Sequence, residues 1–155
     1  VNELGEIGID NDLIVASDNA IFALPEPRVG LAALAGGLHR LPRQIGLKRA
    51  MGMILTGRRV SAAEGKELGF VNEVVPQAEL LATAKKWAGL IAECSPMSIR
   101  ASKEAVMKGF DEPSLKDAIV NQRAYPALTA MFKSEDLIEG PLAFSQKRAP
   151  KWKGR

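Results

Sequence analysis

Glu26 is the carboxylate of this sequence whose neighbours are best suited to hold it for chemistry. It stands between Pro25 and Pro27, and because a proline ring fixes the backbone φ angle, the two prolines pre-set the backbone around the carboxylate. The run that follows, residues 29–37, is VGLAALAGG, and such small residues let a ligand approach the main chain closely. A rigidly held carboxylate beside such a turn is a candidate general acid or base, and the alternative is a solvated glutamate in a surface turn.

Glu3 and Glu6 are the upstream carboxylates that could act together with Glu26. If one of them lay beside Glu26, mutual repulsion and partial burial would push the two pKa values apart. One group could then act as a base while the other stayed protonated. The spacing along the chain leaves both interpretations open, a catalytic pair and unrelated surface carboxylates.

The other reactive side chains give weaker indications. His39, the only histidine, is interpreted as a structural or surface residue, because the sequence places no nucleophile and acid around it. Cys94 ends an amphipathic segment, so we expect it to have a packing role. No cysteines, histidines or carboxylates have metal-ligand spacing, and neither GxGxxG nor a Walker loop is present. The sequence therefore predicts no metal site.

The composition is that of a globular domain. Of the 155 residues, 46% are hydrophobic and 25% charged, which excludes wholesale disorder, collagen-like repeats and a disulfide scaffold. A single cysteine indicates a reducing compartment, so we expect a cytoplasmic protein. No apolar run approaches the roughly 20 residues that span a bilayer, so we expect no membrane partner. Because the chain does not begin with Met, we expect a fragment or a processed chain.

The net charge of +3 is mild, and much of it lies in the last residues, 147–155. Such an excess does not by itself indicate nucleic acid, and no RNA- or DNA-binding motif accompanies it. We therefore expect no nucleic-acid partner. The basic tail is interpreted as a solvated terminus, with a site for an anionic ligand as the alternative.

Short strands open the chain and helices make up most of the rest. Apolar runs predict strands at 13–16, 21–24 and 70–75. Capping and breaking residues predict helices from Pro42 to Gly57, from Ser61 to Gly69, over 78–93, from Pro96 to about Phe110, from 113–114 to a break at Pro126, and from 134–136 through Phe144. Two or three short strands are too few for an independent sheet. We therefore expect further strands upstream or from a partner.

Several segments of the sequence resemble those of a known protein family. Residues 12–30, DLIVASDNAIFALPEPRVG, are similar to the active-site stretch of the enoyl-CoA hydratase (crotonase) family. The resemblance continues through 35–43, 55–62, 68–75, 134–136, 139–144, 147–148 and 152–155. In its C-terminal residues, from 134 onward, the chain is most similar to carnitinyl-CoA dehydratase-like members of the family. Residues 1–11 match poorly, since ELG at 3–5 stands where the family has a glycine-rich run.

The resemblance implies an α/β fold, a crotonase-like spiral of ββα units followed by C-terminal trimerisation helices. The spiral would be incomplete, because the family's N-terminal strands have no counterpart in the sequence. Residues 1–75 would be the C-terminal part of the spiral core. Residues 76–155 would be a helical region for oligomerisation and contacts with coenzyme A, and the implied assembly is a homotrimer or a hexamer.

The same resemblance implies the chemistry of an acyl-CoA hydratase or dehydratase, in which two glutamates act on one water and backbone amides stabilise a thioester enolate. Glu26 aligns with the second glutamate and, counting back without gaps, Glu6 with the first. The residues implied to bind substrate are Pro25, Leu34, Ala35, Gly36, Phe144 and Lys147. Coenzyme A is part of the substrate, and no separate cofactor is implied. The alternatives are an enoyl-CoA isomerase of the same family and an inactive or truncated paralogue that acts only as an assembly partner.

Overall fold

The computed structural model describes residues 11–155, and their secondary structure is mixed α and β. The strands are β1 (Val15–Ser17), β2 (Ile21–Phe22), β3 (Val60–Ser61) and β4 (Glu73–Val75). The helices are α1 (Gly37–Ile45), α2 (Leu47–Thr56), α3 (Ala62–Leu68), α4 (Leu80–Ala92), α5 (Pro96–Gly109), α6 (Leu115–Asn121), α7 (Pro126–Phe132) and α8 (Asp136–Ser145). The predicted strands are found in shorter form as β1, β2 and β4, and the helical second half is confirmed, whereas β3 was not predicted.

The described chain divides into two compact units, with the boundary between Lys85 and Lys86 inside α4. The first unit contains all four strands and helices α1 to α3, and the second contains α5 to α8. The functional division into residues 1–75 and 76–155 stays a prediction.

Two small sheets organise the first unit. Strand β1 pairs with β4 in parallel, so that Val15 lies opposite Glu73, and β2 pairs with β3 in antiparallel orientation. A parallel pair needs a long crossover connection, and here the chain between β1 and β4 supplies it with α1, α2 and α3. The crossover therefore places the 3-10 turn that follows β2 in the same unit as α2.

The core of the first unit lies between these helices and strands. Its most deeply buried side chains are Leu24, Leu41, Met53 and Val60. The rings of Phe22 and Phe70 meet edge to face, with centroids 5.1 Å apart, an arrangement that aromatic pairs prefer. Leu24 is only 1% exposed, and it anchors the segment that leads into Glu26.

Helix boundaries follow the predicted capping residues. The Ser61 hydroxyl accepts a hydrogen bond from the Glu64 amide at 3.2 Å, as expected of a helix N-cap. Ser95 caps α5 in the same way. Gly57 and Gly69 end α2 and α3 in left-handed conformations, with φ of 56° and 97°, which glycine adopts without steric cost.

The helix expected after Pro42 begins earlier and is interrupted. Helix α1 starts at Gly37 and runs through Pro42, and Gly46 separates it from α2. A proline in a helix removes one backbone donor, and burial of Leu41 and Ile45 on the core side favours the helix despite this loss. Pro126 ends the preceding segment as predicted and also begins α7, where its missing N–H would have had no helical partner.

Helix α4 forms where it was predicted, but none of its residues is buried. Leu81 and Ile91, from the expected apolar face, are 67% and 41% exposed. The expected packing role of Cys94 is wrong, because Cys94 is exposed. Its thiol donates a hydrogen bond to the Leu90 carbonyl at 3.5 Å. The apolar periodicity predicted the helix correctly, but the burial of its apolar face depends on whether another surface packs against it.

The close packing at Gly65 yields a stability prediction. A Cβ at this position would lie 2.8 Å from the Phe70 ring and 2.9 Å from the Val71 side chain. We expect Gly65→Ala to lower the free energy of unfolding by about 1–3 kcal/mol, the usual cost of overpacking. In Gly52→Ala, a matched substitution in α2, the new Cβ meets nothing within 4 Å. That change should raise stability by about 0.5–1 kcal/mol. Urea unfolding midpoints measure both, and equal effects would contradict the packing argument.

Candidate active site

Glu26 begins a 3-10 turn, Glu26–Val29, that directly follows Pro25. The side chain is half-buried. Its carboxylate oxygen Oε2 is buried and has no hydrogen-bond partner among the described residues. Buried polar atoms are nearly always paired, because an unpaired one loses its hydration without compensation. An oxygen of this kind is therefore suited to meet a ligand or a water.

The backbone of this turn is closed by local hydrogen bonds, and one of its side chains makes a distant contact. The Arg28 amide donates to the Pro25 carbonyl at 2.9 Å, and the Leu31 amide donates to the Glu26 carbonyl at 2.9 Å. The Arg28 side chain reaches across to the end of α2, where its Nε donates to the Gly57 carbonyl at 3.0 Å. The turn that carries Glu26 is thus tied to the core helix as well as to itself.

The small-residue run returns to the same place in the fold. A Cβ on Gly37 would lie 3.1 Å from the Leu24 side chain and 3.3 Å from that of Ala33. The start of α1 therefore packs against the residue two positions before Glu26. Within the run Leu34 is 81% exposed and Ala35 is also exposed, while Gly36 has a φ of 111° and caps α1.

The predicted site residues fall into three groups. Pro25, Glu26, Leu34, Ala35 and Gly36 belong to one segment of the first unit. Phe144 and Lys147 belong to the second unit. Glu6, proposed as the second catalytic carboxylate, lies outside the described residues, as does Glu3. His39 is exposed, in agreement with a surface role.

In the second unit, Phe144 and Lys147 stand at the exposed end of α8. Phe144 is 88% exposed. Lys147 has a φ of 52°, an uncommon conformation for a residue with a side chain. Its amide donates to the Phe144 carbonyl at 3.1 Å. An exposed ring and an exposed ammonium on neighbouring turns suit a ligand that carries both an aromatic group and phosphates.

The chain beyond Lys147 is held by carboxylates of α8. Arg148 forms a two-point contact with Glu139, at 2.6 and 2.9 Å, and the Lys151 amide donates to Glu139 at 2.6 Å. The Arg148 hydrogen bonds, followed by that of the Lys151 amide, lower the pKa of Glu139 to about 2. We call residues 148–155 with Asp136 and Glu139 the tail clasp.

Asp136 is the second carboxylate of the tail clasp and is 4% exposed. It accepts from the Ser95 hydroxyl at 2.7 Å and from the Lys153 amide at 2.7 Å. Burial acts to raise the pKa of Asp136, but these donors outweigh it, so the pKa lies below its ordinary value. The basic tail is therefore largely solvent-exposed, as interpreted, and it is also held against α8, while its role as an anion site stays a prediction. The sequence signal for this contact is the acidic segment 135–139 followed by the basic segment 148–155.

An open cleft of about 470 Å³ lies along the tail clasp. Its lining includes Ile138, Leu142, Lys151 and Lys153, and Glu26 is not part of it. In residues 11–155, no three histidines, cysteines or carboxylates cluster as metal ligands would. None of the helices described is both long and apolar enough to cross a membrane.

Comparison with known proteins identifies the family of this chain. The family model described as Enoyl-CoA hydratase/isomerase matches residues 5–155. The chain therefore belongs to the enoyl-CoA hydratase/isomerase family, as the resemblance predicted.

The curated relatives with similar sequences are named as dehydratases. The carnitinyl-CoA dehydratases of Proteus mirabilis and Escherichia coli are 39% and 41% identical to this chain. The matches cover 97% of this chain and 58% of each relative. The chain thus spans less than two thirds of the length of these relatives, in agreement with the expectation that the family's full domain is longer.

Solved structures of the family share the fold. The enoyl-CoA hydratase of Mycobacterium tuberculosis superposes with a TM-score of 0.90 at 34% identity, over 97% of this chain and 58% of that one. The enoyl-CoA hydratase of Bacillus anthracis gives 0.88 at 37% identity, over 95% and 56%. The α/β class is confirmed, and the described residues have the fold of part of a crotonase domain.

The tail clasp predicts an acid-sensitive structure. Because the pKa of Glu139 is lowered, its contribution to stability is complete above the ordinary value of 4.5 and is lost as the pH falls towards 2. Trp152, whose indole N–H donates to the Glu93 carbonyl at 2.8 Å, reports on the tail. We expect its fluorescence to shift to the red over that pH window.

Glu139→Gln should show the shifted Trp152 emission already at pH 7, when emission is recorded in a Trp87→Phe background. The matched control is Glu135→Gln. It removes a contact with Arg155 in which both side chains are largely exposed, and such a pair contributes little. If Glu139→Gln kept the emission of the parent at pH 7, the clasp would not depend on Glu139.

Proposed function

We propose that the protein is an acyl-CoA hydratase or dehydratase, a carbon–oxygen lyase that adds water to, or removes it from, the α,β bond of an enoyl-CoA thioester. The observation that carries the proposal is the buried, unpartnered Oε2 of Glu26 in a turn fixed by proline. Membership of the family and the dehydratase and hydratase names of the relatives support it.

In the proposed reaction the oxygen of water bonds to the β-carbon, and one proton is added at the α-carbon. A carboxylate takes the proton of the water, and a carboxylic acid supplies the proton for carbon. Glu26 is proposed for one of these roles and Glu6 for the other. Two backbone amides would stabilise the thioester enolate, and each such donor is typically worth about 3–4 kcal/mol of the barrier.

Two sets of residues are proposed to contact the substrate. Pro25, Leu34, Ala35 and Gly36 would line the acyl end. Leu34 stands where many hydratases have glycine, so its exposed side chain would narrow the acyl pocket. Phe144 and Lys147 would contact coenzyme A, the ring against adenine or the pantetheine chain and the ammonium against phosphate. No cofactor besides the coenzyme A of the substrate is proposed, nor any nucleic-acid or membrane partner.

Enoyl-CoA isomerisation is the second candidate, since the matching family description covers both activities. A glutamate at position 26 favours hydration, because the isomerases of the family place their acid and base elsewhere. An inactive paralogue that serves only in assembly would not need the orphaned oxygen of Glu26. A cytoplasmic location, inferred from the single cysteine, stays a prediction.

Glu26→Gln tests the proposed chemistry. The amide keeps the shape of the side chain but cannot exchange the proton, so we expect the rate of crotonyl-CoA hydration to fall by roughly 10²–10⁴-fold. The reaction is measured by the decrease in absorbance of the conjugated thioester. Glu67→Gln, on the exposed face of α3, is the matched control and should keep the parent rate. Full hydration by Glu26→Gln would contradict the assignment.

We also propose that the chain assembles as a homotrimer or a hexamer through its helical unit. Large apolar side chains of that unit are exposed in the single chain, among them Val106, Met107, Phe110, Leu115, Ile119, Phe132 and Ile138. Large exposed apolar patches on a protein often mark contacts with other proteins. Covering these side chains would offset the cost of association.

Light scattering tests the assembly. The expected mass is three or six times that of the protein chain used, and Phe110→Asp should reduce it, because a charge would be buried without a partner. Lys66→Asp, an exposed position on α3 in the other unit, should leave the mass unchanged. A wild-type protein that is monomeric at micromolar concentration would contradict the proposal.

A further inference from the structure

We infer that Arg28 is a positioning residue for Glu26, and that it acts by anchoring the 3-10 turn to Gly57 at the end of α2. The inference rests on the proposed function of Glu26. Arg28 lies in the same turn, two residues after the carboxylate. Nothing in the chemistry proposed above requires an arginine at this position, so its contact needs its own explanation.

The contact between Arg28 and Gly57 is close and directional. The Arg28 Nε donates to the Gly57 carbonyl at 3.0 Å. A Cβ on Gly57 would lie 3.1 Å from that Nε and 3.2 Å from the Arg28 Cγ. The side chain therefore lies across the glycine, and a Cβ at position 57 would force it to shift.

The end of α2 is a favourable place for this cation. The last carbonyls of a helix have no partner within it and carry partial negative charge. Gly57 is buried and ends the helix with its amide on the Met53 carbonyl at 2.9 Å. Arg28 thus satisfies a buried helix-end carbonyl that is 29 residues away in the sequence.

This anchor ties the turn of Glu26 to the rigid part of the unit. Helix α2 buries Ala50, Met53 and Ile54 in the core, so its end is fixed by packing. Without the Arg28 side chain, the backbone hydrogen bonds of the turn itself, donated by the amides of residues 28, 30 and 31, all lie within residues 25–31. Those bonds join the turn only to itself, whereas Arg28 joins it to the core, so without Arg28 the turn would both reorient and open more often. The reacting oxygen would follow that orientation.

The test compares Arg28→Ala, Gly57→Ala, the double variant and Gly69→Ala. Gly57 and Gly69 both end helices with positive φ, so an alanine at either position strains the backbone similarly. Only at Gly57 does the new Cβ meet Arg28, since nothing lies within 4 Å of it at Gly69. Gly69→Ala therefore separates displacement of the arginine from backbone strain.

For crotonyl-CoA hydration we expect Arg28→Ala and Gly57→Ala each to lower kcat by roughly ten- to a hundredfold, as misplacement of a reacting group does, with KM nearly unchanged. The double variant should lose no more than either single variant, because both remove the same contact. Gly69→Ala should keep the parent kcat. A parent-like kcat in Arg28→Ala, or equal losses in Gly57→Ala and Gly69→Ala, would overturn the inference.

Hydrogen exchange at the Leu31 amide tests the anchor without any activity. This amide donates to the Glu26 carbonyl, so we expect it to exchange faster in Arg28→Ala and Gly57→Ala, and at the parent rate in Gly69→Ala. Unchanged exchange in the first two variants would refute the anchor. If exchange responds as expected but the parent protein does not hydrate enoyl-CoA, the proposed function fails and the anchor stands.

Discussion

The candidate site depends on one buried carboxylate oxygen that receives no hydrogen bond from the described residues. Leu24 is buried just before the turn, proline fixes the backbone on each side of Glu26, and α2 stands behind it. Each of these constraints acts on the main chain and leaves the side-chain oxygen unpaired. A fold normally avoids such an atom, because desolvating a polar group without compensation costs stability. Its retention is the physical reason for placing acid–base chemistry here.

The carboxylates of α8 show the opposite solution within the same chain. Glu139 and Asp136 are supplied with a guanidinium, a hydroxyl and backbone amides, and their pKa values are lowered accordingly. Such groups stay ionised and hold structure together; they are poor proton carriers at neutral pH. The two environments therefore distinguish carboxylates that stabilise the fold from the one proposed to react.

Local chemistry in the sequence predicted much of the fold. Ser61 and Ser95 began helices and Gly57 ended one, because these residues satisfy backbone groups within a few positions. The exposure of Cys94 could not be predicted in this way, because the apolar periodicity of a helix does not say whether another surface covers it. At the site, the Pro-Glu-Pro segment and the family resemblance pointed to Glu26. The link from Arg28 to Gly57 had no local signal, since it joins distant residues through the packing of α2.

The two small sheets have a consequence for handling the protein. Each contains two strands among the described residues, so within those residues each strand has one edge with no strand beside it. Where such an edge is exposed, it can pair with strands of other molecules and become a route to aggregation. Here each strand is only two or three residues long, and so short an edge offers an incoming strand few ladder bonds. Self-association by this route should remain weak and reversible, and dilution should disperse it.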